Sequence, residues 1–394
     1  MVIASFYFEF VSDFVLRISD FFHLPAIMTL RVAVIGAGRL GGFHAQKLAG
    51  MANVELVGVV DPLAANRDRL AAELHTGSFS SHGALLGRID AAVIASPTAL
   101  HHRLAVDLLE ARTHLLVEKP ICTTVAEADE LVELARQRQV VLQVGHVERF
   151  NPAFAAATPH ARNPKFIEAV RASGFTFRSM DVGVVLDLMI HDIDLVLSLV
   201  RAPLRSVDAL GVAILGGHED VAHARLEFQS GCVANLSASR VSYEPARKMQ
   251  IWAPRAYANI DFGTRTTTLV RPSEAVLRGE FHADRLAPEQ VEHYKKHLAE
   301  EHLPKEQQTY DAVDALALEL GDFVDSILSA RQPRVNGEAG RDALAVAEQI
   351  LLSIASHAWD PASQPAAVPY PRIVPAPHFD VASIERAKTE RKAG

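Results

Sequence analysis

Cysteine is nearly missing from this chain: only Cys122 and Cys232 occur in 394 residues. Two thiols cannot build a disulfide framework, and their scarcity fits a reducing compartment, so a cytoplasmic protein is expected. Positive charge is also short. The 39 Lys and Arg residues face 47 Asp and Glu, for a net charge of −8. That balance gives no electrostatic basis for wrapping nucleic acid or lying on an anionic membrane, so neither is expected as a partner. Nor is there an uninterrupted apolar run of roughly 20 residues, the length a membrane span needs. The Phe-rich start, "MVIASFYFEFVSDFVLRISDFFHLPAI", is interrupted by Glu9, Asp13, Arg17 and Asp20 and lacks the basic beginning of a signal peptide. Met28 directly precedes "TLRVAVIGAG", so residues 1–28 read as an extension from an upstream start or, alternatively, as an amphipathic docking helix. No internal repeat is visible, and no metal site is expected.

A chain of 394 residues exceeds what one hydrophobic core usually supports, which predicts two domains. From residue 31, β-branched runs ("RVAVI", "VELVGVV", "IDAAVIAS", "THLLVEKP", "VVLQVGH") alternate with helical stretches at about 40–50, 63–75, 99–111 and 124–138. This rhythm predicts an α/β, doubly wound parallel sheet over residues 29–150. Beyond "RFNP" one apolar helix, about 184–200, precedes a series of strand candidates with no helices between them. Residues 151–335 are therefore expected to form an α+β domain around a large, mostly antiparallel open sheet. The polar segment 273–309 reads as an insertion. Helices at about 311–330 and 338–357 follow, the second (336–357) packing back on the core. The tail 358–394, with Pro361, Pro365, Pro369, Pro371, Pro375 and Pro377, suits neither helix nor central strand.

The first chemical motif is "VIGAGRLGG". Gly36, Gly38 and Gly41 stand in the G-x-G-x-x-G spacing between a strand and a helix, with Arg39 and Leu40 inside it. The glycines permit a tight turn, close approach of backbone to a pyrophosphate, and close helix–strand packing, and the helix start offers free N–H groups to phosphate. Asp61, 25 residues after Gly36, ends the second strand, where its carboxylate bonds an adenosine ribose and disfavours a 2′-phosphate. NAD is the expected cofactor, with Arg39 a candidate phosphate contact. "SPTALHH" puts Ser96, Pro97 and His101 after another strand end, and "VEKP" puts Glu118 and Lys119 after a third. Ligands of open α/β sheets bind beyond those ends. Finally, "DLMIHDIDLV" sets Asp187, His191, Asp192 and Asp194 into an apolar helix, a costly arrangement unless the groups are paired or used. On a 3.6-residue period Asp187, His191 and Asp194 share one side.

Gly36-x-Gly38-x-x-Gly41, Glu118-Lys119-Pro120 and Asp187-x-x-x-His191-Asp192 occur in the order and spacing of the glucose–fructose oxidoreductase / inositol dehydrogenase (Gfo/Idh/MocA) family, which the chain resembles over about residues 30–357. The resemblance implies that Lys119, Asp187 and His191 are catalytic. His191 would take the hydroxyl proton of a secondary alcohol, Asp187 would support that imidazole, and Lys119 would bind the hydroxyl. "GHVERFNPAF" and "DLMIHDID" further resemble the branch that oxidises the 3-hydroxyl of UDP-N-acetylglucosamine, a step toward amide-linked lipid A precursors. Arg149 and Asn151 are then expected to reach substrate, or else to shape the hinge between domains. Arg171, Arg178, Arg240 and Arg247 are candidates for the diphosphate. The alternatives are a dehydrogenase of free sugars or inositols and a non-catalytic NAD(H)-binding sensor. The family's open sheet implies a homodimer or homotetramer.

Overall fold

A computed structural model describes residues 29–177 and 182–357. The N-terminal extension, Arg178 and the proline-rich tail lie outside the described residues. Six short apolar strands build the first sheet: β1 (Leu30–Ile35), β2 (Val54–Val60), β3 (Gly77–Phe79), β4 (Ala91–Ile94), β5 (His114–Glu118) and β6 (Leu142–Gly145). All pair in parallel, in the order β3-β2-β1-β4-β5-β6. Strands covered on both faces must be apolar throughout, and β4 is buried at every position. The covering helices are α1 (Arg39–Ala49), α2 (Ala64–Leu74), α3 (His101–Glu110) and α4 (Val125–Arg138). Thr124 and Glu127 close a capping box that starts α4. The chain reverses its order between β1 and β4, which makes the ends of those strands the ligand crevice.

After α5 (Pro152–Ala157) come β7 (Phe166–Ala172), α6 (Ile190–Val200), and the strands β8 (Leu204–Val212), β9 (Val221–Phe228), β10 (Val233–Ser239), β11 (Ala246–Ala253), β12 (Ala256–Asp261) and β13 (Thr266–Val270). With β14 (Lys305–Thr309) they form an eight-stranded sheet ordered β14-β13-β12-β11-β7-β10-β9-β8, antiparallel except where β7 meets β10. Its strands alternate: Ala222, Ala224, Leu226 and Phe228 of β9 are buried on one face, while His223 and Arg225 are exposed on the other. The apolar face packs under α6 and α10 (Gly337–Ser356), with Ile193, Val196, Leu236, Ile251 and Ile350 in one core. Each such aliphatic contributes about 1.5–3 kcal/mol by leaving water.

The 273–309 segment makes α7 (Glu274–Leu277) and α8 (Pro288–His302), then returns as β14 on the sheet edge beside β13. One helix departs from expectation. α9 (Ala315–Leu328) was expected within the second domain, yet Leu320, Phe323 and Val324 pack with Val34, Leu48 and Leu116 of the first. Its apolar stripe completes the face of the parallel sheet that α1 leaves partly bare. α10 crosses both cores, Leu344 joining the first and Val346 the second. It does so at close range, since a Cβ on Gly340 would lie 2.4 Å from Val144 Cγ2.

Candidate active site

The glycine loop follows β1. Gly36 has φ +105°, and a Cβ there would fall 2.6 Å from the Ala95 carbonyl oxygen, so only glycine brings this turn against the loop after β4. A Cβ on Gly41 would strike the Gly36 carbonyl at 1.8 Å. Gly38, the N-cap of α1, faces open space, and no side chain caps the helix. The first N–H groups of α1 are thus free for an anion, and a dinucleotide pyrophosphate fits this cradle. Arg39 and Leu40 are exposed beside it, and Arg39 lies over the Phe43 ring at 5.6 Å. Asp61 accepts hydrogen bonds from Ala37 N (2.9 Å) and Leu63 N (2.8 Å), which ties its carboxylate to the loop. Its remaining lone pairs suit a ribose diol.

Ser96 and Pro97 follow β4 next to Gly36. His101 is buried, with its ring nitrogens at 2.9 Å from Ser96 O and 3.0 Å from Pro120 O. Burial lowers its pKa against the pull of both carbonyls, and a neutral ring, with one N–H, donates to only one of them. Glu118 sits at the end of β5, where its Oε1 meets His44 Nε2 at 2.7 Å. Burial is the largest influence and opposes its charge, but the hydrogen bond and charge of His44 together with Lys119 more than offset it and leave the carboxyl below its ordinary pKa.

The next residue carries the link between domains. Lys119 Nζ donates to Asp187 O at 2.7 Å and Asp187 Oδ1 at 3.2 Å. Asp187 lies in a π-helical turn, Val185–Met189, that leads into α6. Such turns concentrate at functional sites, and a 3.6-residue period does not foresee them. Asp187 was expected to support His191; its charged partner is Lys119 instead. His191 is partly exposed, and its Nδ1 is buried without a hydrogen-bond partner. Burial, then the charges of Lys119, Arg171 and Arg247, hold its pKa well below that of an ordinary imidazole. It is a neutral base beside an ammonium group.

Several expected substrate contacts are occupied inside the protein. Arg149 makes a two-pronged pair with Asp194 (2.7 and 2.9 Å), and Asp194 is 1% exposed. Asp194 therefore points to Arg149 rather than sharing the His191 side. Asn151 caps α5 by accepting from Ala153 N at 3.1 Å. Two diphosphate candidates need correction. Arg171, 5% exposed, binds Asp192 at 2.8 and 3.0 Å and Glu148 at 2.9 Å. Burial opposes its charge, but the two carboxylates more than offset that. Arg240 holds Asp220 at 2.6 Å and Val182 O at 2.8 Å. Guanidinium groups satisfied this way have little left for phosphate. Arg247 is half exposed, 3.7 Å from Glu148.

Other groups escaped the sequence reading. His146 and Glu319 are buried, and neither has a hydrogen-bond partner for any side-chain N or O atom. Burial, then Glu118 and Asp194, push the Glu319 carboxyl well above its usual range, so it is a neutral acid. Gln143 reaches the Glu319 carbonyl at 3.0 Å. Among the described residues no cluster of three or more His, Cys, Asp or Glu could hold a metal, and no helix is long and apolar enough to cross a membrane.

The oxidoreductase family with an NAD-binding Rossmann fold matches residues 30–146, and the GFO/IDH/MocA C-terminal domain matches residues 144–258. A UDP-N-acetylglucosamine 3-dehydrogenase of Acidithiobacillus ferrooxidans is 37% identical over 326 residues, which cover 82% of this chain and 97% of that one. This chain belongs to the Gfo/Idh/MocA family. The solved structure of that relative superposes with a TM-score of 0.72 over 83% of this chain and 98% of its own. A scyllo-inositol 2-dehydrogenase (NAD(+)) of Bacillus subtilis is 31% identical over 54% of this chain and 68% of its own. The levoglucosan dehydrogenase complex with NADH, 16% identical, shares the fold with a TM-score of 0.71 over 83% of this chain and 97% of its own. The NAD-binding Rossmann fold that the family model covers is the domain that carries the Gly36–Gly41 loop.

Proposed function

We propose that this chain is an NAD-dependent dehydrogenase that oxidises a secondary hydroxyl of a sugar nucleotide, the 3-hydroxyl of UDP-N-acetylglucosamine. One observation carries the reading: Lys119 from the first domain and Asp187 from the second meet at 2.7–3.2 Å beside a neutral His191, at the end of the NAD-binding sheet. The length of the match to the Acidithiobacillus ferrooxidans enzyme supports the substrate. NAD, when bound, accepts the hydride that the alcohol carbon loses.

The chain's own residues do the rest. The Lys119 ammonium has three donors and spends two on Asp187, leaving one for the reacting hydroxyl. A cation there favours the alkoxide character that develops as the O–H bond breaks. Neutral His191 takes the proton. Asp187 holds the ammonium in place and balances its charge. Gly36, Gly38 and Gly41 cradle the pyrophosphate, with Arg39, Leu40, Ser96, Pro97 and Glu118 around the cofactor and Asp61 at its ribose. Among the arginines weighed for phosphate, half-exposed Arg247 is the candidate that remains. Intact Lys119 and His191 argue against a sensor without turnover. The enzyme works in the cytoplasm as a homodimer or homotetramer. The sheet face bearing Glu168, His223 and Arg225 supports this, because it points away from the core.

The test is an NADH-linked assay with UDP-N-acetylglucosamine, free N-acetylglucosamine and inositols. The nucleotide sugar should have a kcat/KM at least about a hundredfold above that of the free sugar, because remote binding energy orients the reacting carbon. Comparable values would reject the nucleotide site, and a preference for inositol would move the protein to the polyol dehydrogenases.

A further inference from the structure

Next to His191 lies a second imidazole that the reaction described above leaves idle. His146 follows β6 and is 1% exposed, and both Nδ1 and Nε2 are buried without a hydrogen-bond partner. Buried polar atoms are nearly always satisfied, because an unmade hydrogen bond forfeits the hydration that burial removed. Two such atoms on one ring leave it one nitrogen to give a proton and one to take a proton. It stands edge-on to His191, with centroids 6.2 Å apart and planes at 89°. The Nδ1 of His191 is likewise buried and unpartnered. At this separation a single bridging water, or a small rotation of either ring, would link the two imidazoles.

The surroundings of the two rings differ in sign. Lys119, Arg171 and Arg247 act on His191, and all are cations. His146 faces Asp194 on α6 and Glu118 at the end of β5, as well as Arg149 and Lys119. Burial lowers the pKa of both rings, but Asp194 and Glu118 favour a proton on the inner one, whereas the leading charges on the outer one oppose it.

We propose that His146 is a relay residue, which takes from His191 the proton lost by the substrate and holds it until product leaves. This rests on the assignment of His191 as the base. As the alcohol carbon gives up its hydride, the hydroxyl proton goes to His191 Nε2 and the C=O bond forms. His191 then passes its Nδ1 proton to the free nitrogen of His146 and is neutral again, in the other tautomer. On product release the steps reverse, and the proton leaves to solvent from His191 Nε2. Nothing else is oxidised or reduced, and no further reactant is needed.

The test is stopped-flow spectroscopy of the NAD-loaded, full-length protein with UDP-N-acetylglucosamine, following NADH and a pH-indicator dye together. In the wild type, one NADH per site should form in a burst and the proton should reach solvent only afterwards, at the steady-state rate. His146→Asn and His146→Gln keep a polar side chain but cannot carry the proton. In them the NADH burst should shrink at least about fivefold and the acid limb of the kcat profile should move, while NAD binding stays within about twofold. Proton release in step with NADH in the wild type would overturn the relay, as would an unaltered burst and pH profile in either variant. His191→Ala separates the two ideas. Loss of NADH formation there, beside a normal His146→Asn, sinks the relay alone. Wild-type turnover in His191→Ala sinks the base assignment beneath it.

Discussion

Asp187 and His191 stand within a few residues of Asp192 and Asp194, on one stretch of chain, and the two pairs meet opposite fates. Asp192 and Asp194 are buried, each gripped by both prongs of an arginine, Arg171 and Arg149. Asp187 and His191 stay partly exposed, and the charge they share is one lysine that arrives from the other domain. Desolvation explains the division. A buried carboxylate survives only with a partner of matching geometry, so once Arg171 and Arg149 are spent on this, they and their acids are scaffold. A group left with unused polar atoms at the cleft is free to do chemistry. The π turn helps to separate the two, since Asp187 falls within Val185–Met189 while the other three residues belong to the regular helix.

The comparison breaks most visibly by mutation of the scaffold pair. Asp192→Ala leaves Arg171 buried against Glu148 alone and should cost about 3–5 kcal/mol in urea unfolding, whereas Asp187→Ala should cost less than about 1 kcal/mol. Equal losses would erase the distinction. Lys119→Ala should reverse the ranking: at least about a hundredfold lower kcat, roughly 2.7 kcal/mol, with NAD affinity and melting temperature nearly unchanged. A folded variant with near-normal turnover would remove Lys119 from the reaction.

Acid should act on the buried imidazoles. His101, His146 and His191 all have folded pKa values below the unfolded value of about 6.5, so the unfolded chain binds protons first. Their effect is absent above that pH and grows as pH falls through it, by up to about 1.4 kcal/mol per pH unit for each ring. Urea midpoints at pH 7.5 and about 5.5 check this, and a stability that rises on acidification contradicts it. The smallest effect concerns the cofactor. Asp61 should make NAD bind at least about tenfold better than NADP, about 1.4 kcal/mol, and calorimetry giving equal affinities would refute it.

What could be read from sequence follows the reach of each interaction. The glycine turn, Asp61 and the Lys119-Pro120 step are local, and their residue types at fixed offsets carry the physics with them. The arginine partners are not local. Arg171 meets Asp192 across 21 residues and Arg149 meets Asp194 across 45, so guanidinium groups that looked available, the first for a diphosphate and the second for substrate, were already taken. α9 is more distant still: Gln143 reaches Glu319 across 176 residues, and no pattern within α9 tells which domain its stripe will cover. His146 sat in plain view inside "GHVERF". Its signal, two unpaired ring nitrogens, exists only once β6 and α6 are packed together.

The division of labour rests most heavily on His191, and a single-turnover measurement reaches it directly. Wild type and His191→Gln, each saturated with NAD, would be mixed with UDP-N-acetylglucosamine and the rate of NADH formation recorded. Asp192→Asn would serve as the control for a change in the same helix. The account predicts at least a roughly hundredfold slower first turnover in His191→Gln, with NAD affinity within about twofold of wild type, and less than about a fivefold change per folded molecule of Asp192→Asn. A His191→Gln first turnover close to the wild-type rate would contradict it.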